Sequence, residues 1–475
     1  MLENSSFLTP ARPSARLTHL RLLLLCGMLL GLGSARAQNV VVFTNLVSFN
    51  KTNGYLPTAP LLQAKDGNFY GTTPSGGAHY SGTIFQLTTN NVLNTLISLD
   101  FTNGATPTSG LIQGLDGNFY GTASSGGTNA GLDSMGYGFG TIFQLTTNGA
   151  FNVLATFAGT NGSYPNGLLQ TSNGVFYGTT YYGEATQSPL SYNNGNGSLF
   201  TLDTNHNLSN LFFFSGANGE YPFSPLVQSS NGNFYGSTIY GGATIQGTVF
   251  EYAANGNFTS LDSFGGTNSY SPNGLIPGKD GNFYGTAQGS TLDYGTVFQL
   301  TPGGALKILA SFNTNTGFAP QCLMQAKDGN FYGTTSQGGT YNNGAIFELN
   351  TNGVLLPLYS FTGTNDGYYA TSLMQATDGS FYGTTKYGGS FNYGTIFKMS
   401  LVPSPNIQHV GATNGVITLT WPAAMGQNYQ VQYLTNLTQT NWSTLTNFTA
   451  AGATGTATDS TKSGTQRFYR VVLVL

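Results

Sequence analysis

The sequence contains few charged side chains and few of the residue types that bind metals or act in catalysis. Only 7% of its 475 residues are Asp, Glu, Lys or Arg, against roughly a quarter in an average soluble protein. There are two cysteines, and only Cys322 lies outside the N-terminal segment described below, so no internal disulfide is expected there. The four histidines are scattered, without acidic or cysteine neighbours at metal-ligand spacing. The sequence therefore predicts no metal site and no cofactor.

The charge that is present has the wrong sign for nucleic acid. The 14 basic and 17 acidic residues of the whole chain fall to 10 and 16 once the first 37 residues are set aside, a net charge of −6. Nucleic acid is bound through basic contacts to phosphates, and anionic lipid through basic clusters. We therefore expect neither partner.

Long apolar runs are also missing, apart from one near the N-terminus. It extends from Leu22 to about Leu32, follows three arginines and precedes the small-x-small pattern Ala35-Arg36-Ala37. The run is shorter than the ~20 residues that span a bilayer. The sequence thus predicts a signal peptide over residues 1–37, cleaved after Ala37, and a mature chain without a transmembrane segment that is secreted or held at the cell surface.

What the sequence does contain is a repeat. The phrase Asp-Gly-Asn-Phe-Tyr-Gly-Thr at residues 66–72 returns six more times, in places as a variant. The tyrosines of the seven copies are Tyr70, Tyr120, Tyr177, Tyr235, Tyr284, Tyr332 and Tyr382. Their spacing of 48 to 58 residues lies in the range of propeller blades.

Each copy contains four short runs rich in β-branched and aromatic residues, separated by Gly, Asn and Asp. In the second copy the runs are residues 111–113, 119–122, 141–145 and 153–157. The Asp-Gly pair between the first two runs predicts a hairpin. A tight hairpin turn requires residues with positive φ, which Asp and Gly tolerate. Four antiparallel strands make one blade, so the fold class predicted is all-β, with a seven-bladed β-propeller over residues 39–401.

The two ends of the repeat array complement each other. The seventh copy lacks a fourth run, and a run of that type stands alone at Val41–Phe49, before the first copy. We therefore expect the N-terminal strand to complete the last blade and close the ring.

The repeat resembles the Gloeobacter/Verrucomicrobia tandem repeat family of exported bacterial proteins. The resemblance rests on the phrase above, a Gly-Gly doublet and a Gly-Thr-Ile-Phe-x-Leu element, and covers residues 41 to about 400. Copies three and five depart from the doublet, reading Gly183-Glu184 and Gly289-Ser290. The resemblance implies a propeller and an exported location, and no activity. Kelch repeats share the period, but each kelch repeat is expected to contain a tryptophan. The tryptophans of the mature chain, Trp421 and Trp442, lie outside the copies.

A different pattern follows the repeats. Pro403-Ser404-Pro405 predicts a linker at residues 402–405. Beyond it, runs such as residues 416–421 alternate between polar and apolar side chains, as half-buried strands do. Residues 406–475 resemble a fibronectin type III or immunoglobulin-like domain, which implies a small β-sandwich.

The candidate ligand-binding residues are aromatic. Loops between blades and loops joining the second and third strands emerge on one face of a ring of antiparallel blades. Two of these loops, Gly127–Gly140 and Gly183–Gly197, are enlarged and belong to adjacent blades. The ligand-binding residues predicted on and near them are Tyr137, Tyr164, Tyr181, Tyr182, Tyr192 and Tyr221. Rings beside neutral hydrogen-bonding groups suit sugars or extended polymers; the alternative is that they pack the blade junctions.

Two classes of function stay open. One is an exported binding or interaction scaffold that recognises carbohydrate or a cell-surface polymer through the loop aromatics. The other is a polysaccharide-degrading hydrolase or lyase of propeller form. The recurring acids are Asp66, Asp116, Asp280, Asp328 and Asp378. A glycosidase needs two carboxylates roughly 5–10 Å apart, whereas the repeat spreads these around a ring, so we interpret them as hairpin-turn residues and predict no catalytic residue.

Overall fold

A computed structural model describes the chain over residues 39–127, 138–183, 195–266, 269–289, 294–460 and 466–474. The regular elements in these ranges are β-strands, and their ladders are antiparallel. Within the same ranges, no helix has the length and apolar character that crossing a membrane requires.

The repeats form sheets in which chain order is also spatial order. The first sheet contains β2 (Leu62–Gln63), β3 (Phe69–Thr73), β4 (Thr83–Leu87) and β5 (Leu93–Ser98). The second contains β6 (Ile112–Gln113), β7 (Phe119–Ala123), β8 (Thr141–Leu145) and β9 (Phe151–Thr156). The third contains β10 (Ser163–Gln170), β11 (Phe176–Tyr182), β12 (Ser198–Leu202) and β13 (Leu208–Phe213).

The fourth sheet differs because two short strands, β14 (Glu220–Pro222) and β15 (Val227–Gln228), share its first position. Its other strands are β16 (Phe234–Tyr240), β17 (Thr248–Tyr252) and β18 (Phe258–Ser263). The fifth sheet contains β19 (Tyr270–Pro277), β20 (Phe283–Gln288), β21 (Thr296–Leu300) and β22 (Leu306–Ser311). The sixth contains β23 (Phe318–Gln325), β24 (Phe331–Gln337), β25 (Ala345–Leu349) and β26 (Leu355–Ser360).

The sheet of the last repeat combines strands from both ends of the array. Its members are β27 (Tyr368–Gln375), β28 (Phe381–Tyr387), β29 (Thr395–Val402) and β1 (Val40–Ser48). β1 runs antiparallel to β29, from Val40 opposite Val402 to Ser48 opposite Thr395. The N-terminal strand thus occupies the fourth position that the seventh copy leaves open.

The Phe-Tyr pair of each repeated phrase fills the space between neighbouring sheets. Successive side chains of a strand point to opposite faces, so Phe331 packs on Tyr284 of the preceding repeat and Tyr332 on Phe381 of the next. Ring centroids in the seven such pairs among the described residues are 4.2 to 4.6 Å apart. The pairs are Tyr70–Phe119, Tyr120–Phe176, Tyr177–Phe234, Tyr235–Phe283, Tyr284–Phe331, Tyr332–Phe381 and Tyr382–Phe69. The last pair joins the final repeat to the first.

A backbone hydrogen bond also recurs between repeats. Its donor, which we call the junction residue, lies ahead of the first strand of a repeat or is the second residue of that strand, and it has a φ between 50° and 59°. Its N–H donates, at 2.8 to 3.1 Å, to a carbonyl in the loop between the second and third strands of the preceding repeat. The donor–acceptor pairs are Leu56–Tyr393, Thr106–Ser81, Tyr164–Phe139, Tyr221–Asn196, Ser271–Gln246, Ala319–Tyr294 and Tyr369–Asn343.

The residues after the repeats form two three-stranded sheets. One contains β30 (His409–Thr413), β31 (Val416–Pro422) and β34 (Thr454–Ser460). The other contains β32 (Asn428–Leu434), β33 (Ser443–Thr449) and β35 (Phe468–Val474). Trp421 and Leu419 of the first pack with Tyr429 and Val431 of the second in one buried core. The fibronectin resemblance and the domain boundaries stay predictions.

Candidate functional site

Four of the six tyrosines predicted as ligand-binding residues lie together where the third and fourth repeats meet. Tyr181 and Tyr182 end β11, Tyr164 lies near the start of β10, and Tyr221 lies in β14. The other two, Tyr137 and Tyr192, fall outside the described residues.

The rings of these tyrosines are in direct contact. Tyr181 and Tyr221, which belong to different repeats, are stacked with 4.8 Å between centroids and 9° between planes. Tyr182 meets Tyr181 edge to face at 4.7 Å. It also meets Tyr164 at 5.5 Å and 88°. Stacked and edge-to-face arrangements are those that aromatic quadrupoles favour.

Two further rings, which the sequence reasoning missed, extend the group towards solvent. Phe223 is 52% exposed and lies 6.1 Å from Tyr181. Tyr240 is 46% exposed and lies 6.1 Å from Tyr221. Tyr240 ends the second strand of its repeat, as Tyr182 does, so comparing the copies would have found it. Phe223 had no such signal. We call the six rings, Tyr164, Tyr181, Tyr182, Tyr221, Phe223 and Tyr240, the aromatic cluster.

Two hydroxyl groups of the cluster have a raised pKa. Burial, reinforced by Tyr182, raises the pKa of Tyr181 to about 12. Burial, reinforced by the carboxylate of Glu220, also raises the pKa of Tyr221. The cluster therefore combines apolar rings with the uncharged hydroxyls of Tyr181 and Tyr221, next to one carboxylate.

The repeats themselves show which of these rings the fold requires. The junction residue and the residue six positions after the phenylalanine of the repeated phrase form an edge-to-face tyrosine pair in three repeats, at 5.5 to 6.1 Å and 86° to 90°. These pairs are Tyr164–Tyr182, Tyr221–Tyr240 and Tyr369–Tyr387. The first, second and sixth repeats have Leu56 with Ser75, Thr106 with Ser125 and Ala319 with Gln337 at these positions. Their junction residues keep the positive φ and the hydrogen bond, so the backbone forms without the rings.

The recurring aspartates hold hairpin turns, at the opposite end of the second strand from the cluster. Asp66 accepts hydrogen bonds from the Asn68 N–H at 3.0 Å and from the Tyr70 hydroxyl at 2.7 Å. Gln86 donates to the same hydroxyl at 2.8 Å. Asp116 and Asp280 accept the same hydrogen bonds in their own repeats. Over the described part of the chain, no three His, Cys, Asp or Glu side chains converge as metal ligands.

Comparison with known proteins identifies a family for the repeats. A family profile described as Gloeobacter/Verrucomicrobia repeat matches three times, over residues 35–192, 136–291 and 271–416. No curated protein matches the chain.

Several solved structures are similar in backbone. Puromycin hydrolase has 10% identity and a TM-score of 0.48, over 80% of this chain and 62% of its own. PorZ of Porphyromonas gingivalis, a surface component of the type-IX secretion system, has 10% identity and a TM-score of 0.48, over 90% and 60%. An oligogalacturonate lyase in complex with manganese has 10% identity and a TM-score of 0.46, over 77% and 98%. Similarity this distant says nothing about ligand or reaction.

Proposed function

We propose, since the chain belongs to the Gloeobacter/Verrucomicrobia repeat family, that its repeats close into a seven-bladed β-propeller that is exported and binds carbohydrate. Ring closure is supported by contacts between the last and first repeats. Tyr382 packs on Phe69 as at every other junction, and the Leu56 N–H donates to the Tyr393 carbonyl. β1 supplies the missing strand.

The observation that carries the binding proposal is the presence of rings where the fold does not need them. The third and fourth repeats place tyrosines at positions that leucine, serine, threonine, alanine or glutamine occupy in the first, second and sixth repeats on the same backbone. Large apolar side chains that remain partly exposed without a structural requirement are typical of binding surfaces.

The chemistry of the cluster matches a sugar. The axial C–H bonds of a pyranose carry a small positive charge, and the face of an aromatic ring is negative. Phe223 and Tyr240 are about half exposed, and they contact Tyr181 and Tyr221, respectively, edge to face. Tyrosine hydroxyls and backbone groups around them are suited to bonding the equatorial hydroxyls of the sugar.

A glycan array followed by calorimetry on the best neutral oligosaccharide tests this proposal. The double variant Phe223→Ala/Tyr240→Ala should weaken binding roughly tenfold, because each stacked ring contributes about 0.5–1.5 kcal/mol. Tyr80→Ala is the matched control, since Tyr80 is 69% exposed on a loop of the first repeat. A double variant that binds as tightly as the wild type would place the site elsewhere. Shortened products in the incubated sample would favour the hydrolase or lyase instead.

Export is tested separately. The apolar run and the Ala35-Arg36-Ala37 pattern support cleavage after Ala37. Mass spectrometry of the protein produced in a bacterial host should then find an N-terminus at Gln38 outside the cytoplasm. An uncleaved chain in the cytoplasm would contradict the signal peptide.

A further inference from the structure

The last repeat has the tyrosine pair of the aromatic cluster, but with a positive charge beside it. Tyr369 and Tyr387 meet at 6.1 Å and 86°, as Tyr164 and Tyr182 do in the third repeat. The residue before Tyr387 is Lys386, at the position that Tyr181 holds in the third repeat. The Lys386 ammonium lies 5.4 Å from the ring centroids of both tyrosines.

A second lysine and tyrosine lie in the loops that join the last repeat to the first. The Lys51 ammonium lies 5.6 Å from the centroid of the Tyr393 ring. That ring in turn contacts Tyr55 of the first repeat at 5.5 Å. Both lysines are therefore held at aromatic faces, an arrangement that orients an ammonium group while leaving it hydrated. The two sets adjoin, because a Cβ atom on Gly394, the residue after Tyr393, would lie 3.0 Å from the Lys386 carbonyl oxygen. We call Lys51, Tyr55, Tyr369, Lys386, Tyr387 and Tyr393 the lysine–tyrosine group.

The charges of these two lysines are not neutralised within the described part of the chain. Neither forms an ion pair with a described acidic residue, whereas Lys398 of the same repeat bonds to Asp378 at 3.0 Å. The acid nearest in sequence to Tyr369 is Asp366, which is buried. Its carboxylate accepts hydrogen bonds from the Tyr359 hydroxyl and the Thr362 N–H, both at 2.8 Å.

The two sites differ in charge on a common geometry. The aromatic cluster has the Glu220 carboxylate next to its junction tyrosine, whereas the lysine–tyrosine group has two ammonium groups. A negatively charged sugar is repelled at the first and attracted at the second.

From this contrast we infer that the lysine–tyrosine group is a second binding site, specific for a pyranose that carries an anionic group. The sugar ring lies on the tyrosines, and its carboxylate or sulfate bonds to Lys386, while the Lys51 ammonium at the Tyr393 ring adds to the positive charge. The inference rests on the proposed function, because it uses the same stacking of sugar on tyrosine. Together the two sites would hold a polymer that contains both neutral and acidic sugars.

Calorimetry with three probes on the full chain tests the inference. The probes are a tetrasaccharide of uronic acids, its neutral methyl ester and a sulfated neutral tetrasaccharide. The uronate should bind more tightly than its ester, and its affinity should fall as salt is raised, because exposed charges are screened. Lys386→Gln/Lys51→Gln should weaken uronate binding roughly tenfold, since exposed ionic contacts contribute only modestly to affinity. Lys307→Gln, an exposed lysine on β22, is the matched control and should bind as the wild type does.

The outcomes separate this inference from the proposed function. Equal binding of the uronate and its ester, or unchanged affinity in the double lysine variant, would overturn the inference. Binding of the sulfated probe that also depends on both lysines would support it and identify the negative charge, rather than the carboxylate, as the feature recognised. The proposed function is judged instead by Phe223→Ala/Tyr240→Ala with a neutral glycan, which the lysine variants should leave unchanged.

Discussion

Gly82 illustrates how single residues fit one repeat against the next. A Cβ atom there would lie 2.6 Å from Cδ of Pro107 in the next repeat and 2.5 Å from the Thr73 carbonyl oxygen, and φ is +108°. Gly117 also has a positive φ, +84°, but a Cβ there meets nothing within 4 Å. Gly117→Ala should lower the free energy of unfolding by about 1–2 kcal/mol, from backbone strain alone. Gly82→Ala should cost a further ~1–3 kcal/mol from overpacking. Urea unfolding compares the two, and equal losses would mean that Pro107 moves aside freely.

The recurring aspartates predict how stability depends on acid. Burial alone would raise the pKa of Asp66, but hydrogen bonds from Tyr70 and Asn68 hold it below its ordinary 3.8, and the pKa of Asp116 and Asp280 is lowered in the same way. The native state then binds fewer protons than the unfolded state, so stability is present above pH ~3.8 and is lost as pH falls through the lower folded values. Replacing the three by Asn should flatten that loss. The third repeat already has Asn173 there, and its side chain makes a similar turn, so the variant should fold. If the stability of the triple Asn variant fell with pH as steeply as that of the wild type, the prediction would be contradicted.

Among the elements, each second strand contributes to two separate cores. Phe331 and Tyr332 are adjacent in β24 and both buried, yet they belong to different clusters. Phe331→Ala or Tyr332→Ala should each lower the free energy of unfolding by about 3–5 kcal/mol. Because the cores are distinct, the two losses should add to within ~0.5 kcal/mol. Phe331→Ala with Tyr284→Ala should not add, since those rings are in contact at 4.3 Å. Chemical denaturation of the two double-mutant cycles checks this; coupling as strong in the first as in the second would mean one shared core.

The same level of structure shows what the sequence can and cannot predict. Alternation and turn residues predicted runs at residues 119–122 and 141–145, and the strands there are Phe119–Ala123 and Thr141–Leu145. Local pattern is sufficient for such elements because the side-chain period of a strand is fixed. The junction residue was not predictable, because a residue before proline is expected to be extended with a negative φ, and yet Tyr164, which precedes Pro165, adopts a φ of 56°. The hydrogen bond from its N–H to the neighbouring repeat is a tertiary contact. Phe223, two residues after the junction residue Tyr221, depends on the same kind of contact for its place in the cluster.

At the scale of the whole molecule, β1 connects both ends of the proposed ring. Phe43 stacks on Tyr359 of the sixth repeat at 4.0 Å. Phe49, just beyond the strand, meets Phe85 of the first repeat at 5.3 Å. Because Phe43 contacts the sixth repeat and Phe49 contacts the first, removing this segment exposes apolar surface at both junctions of the last repeat.

Deleting residues 39–50 should therefore lower the unfolding temperature by about 5 °C, because a few kcal/mol of apolar burial are removed and 1 kcal/mol corresponds to roughly 1–2 °C in a domain larger than 250 residues. Differential scanning calorimetry measures the change. A synthetic peptide of residues 39–50, added to the shortened chain, should restore part of the loss in proportion to its concentration, since it binds the folded state alone. A scrambled peptide should restore nothing. An unchanged unfolding temperature after the deletion would show that the contacts of Tyr382 with Phe69 and of Leu56 with Tyr393 hold the last repeat to the first without β1.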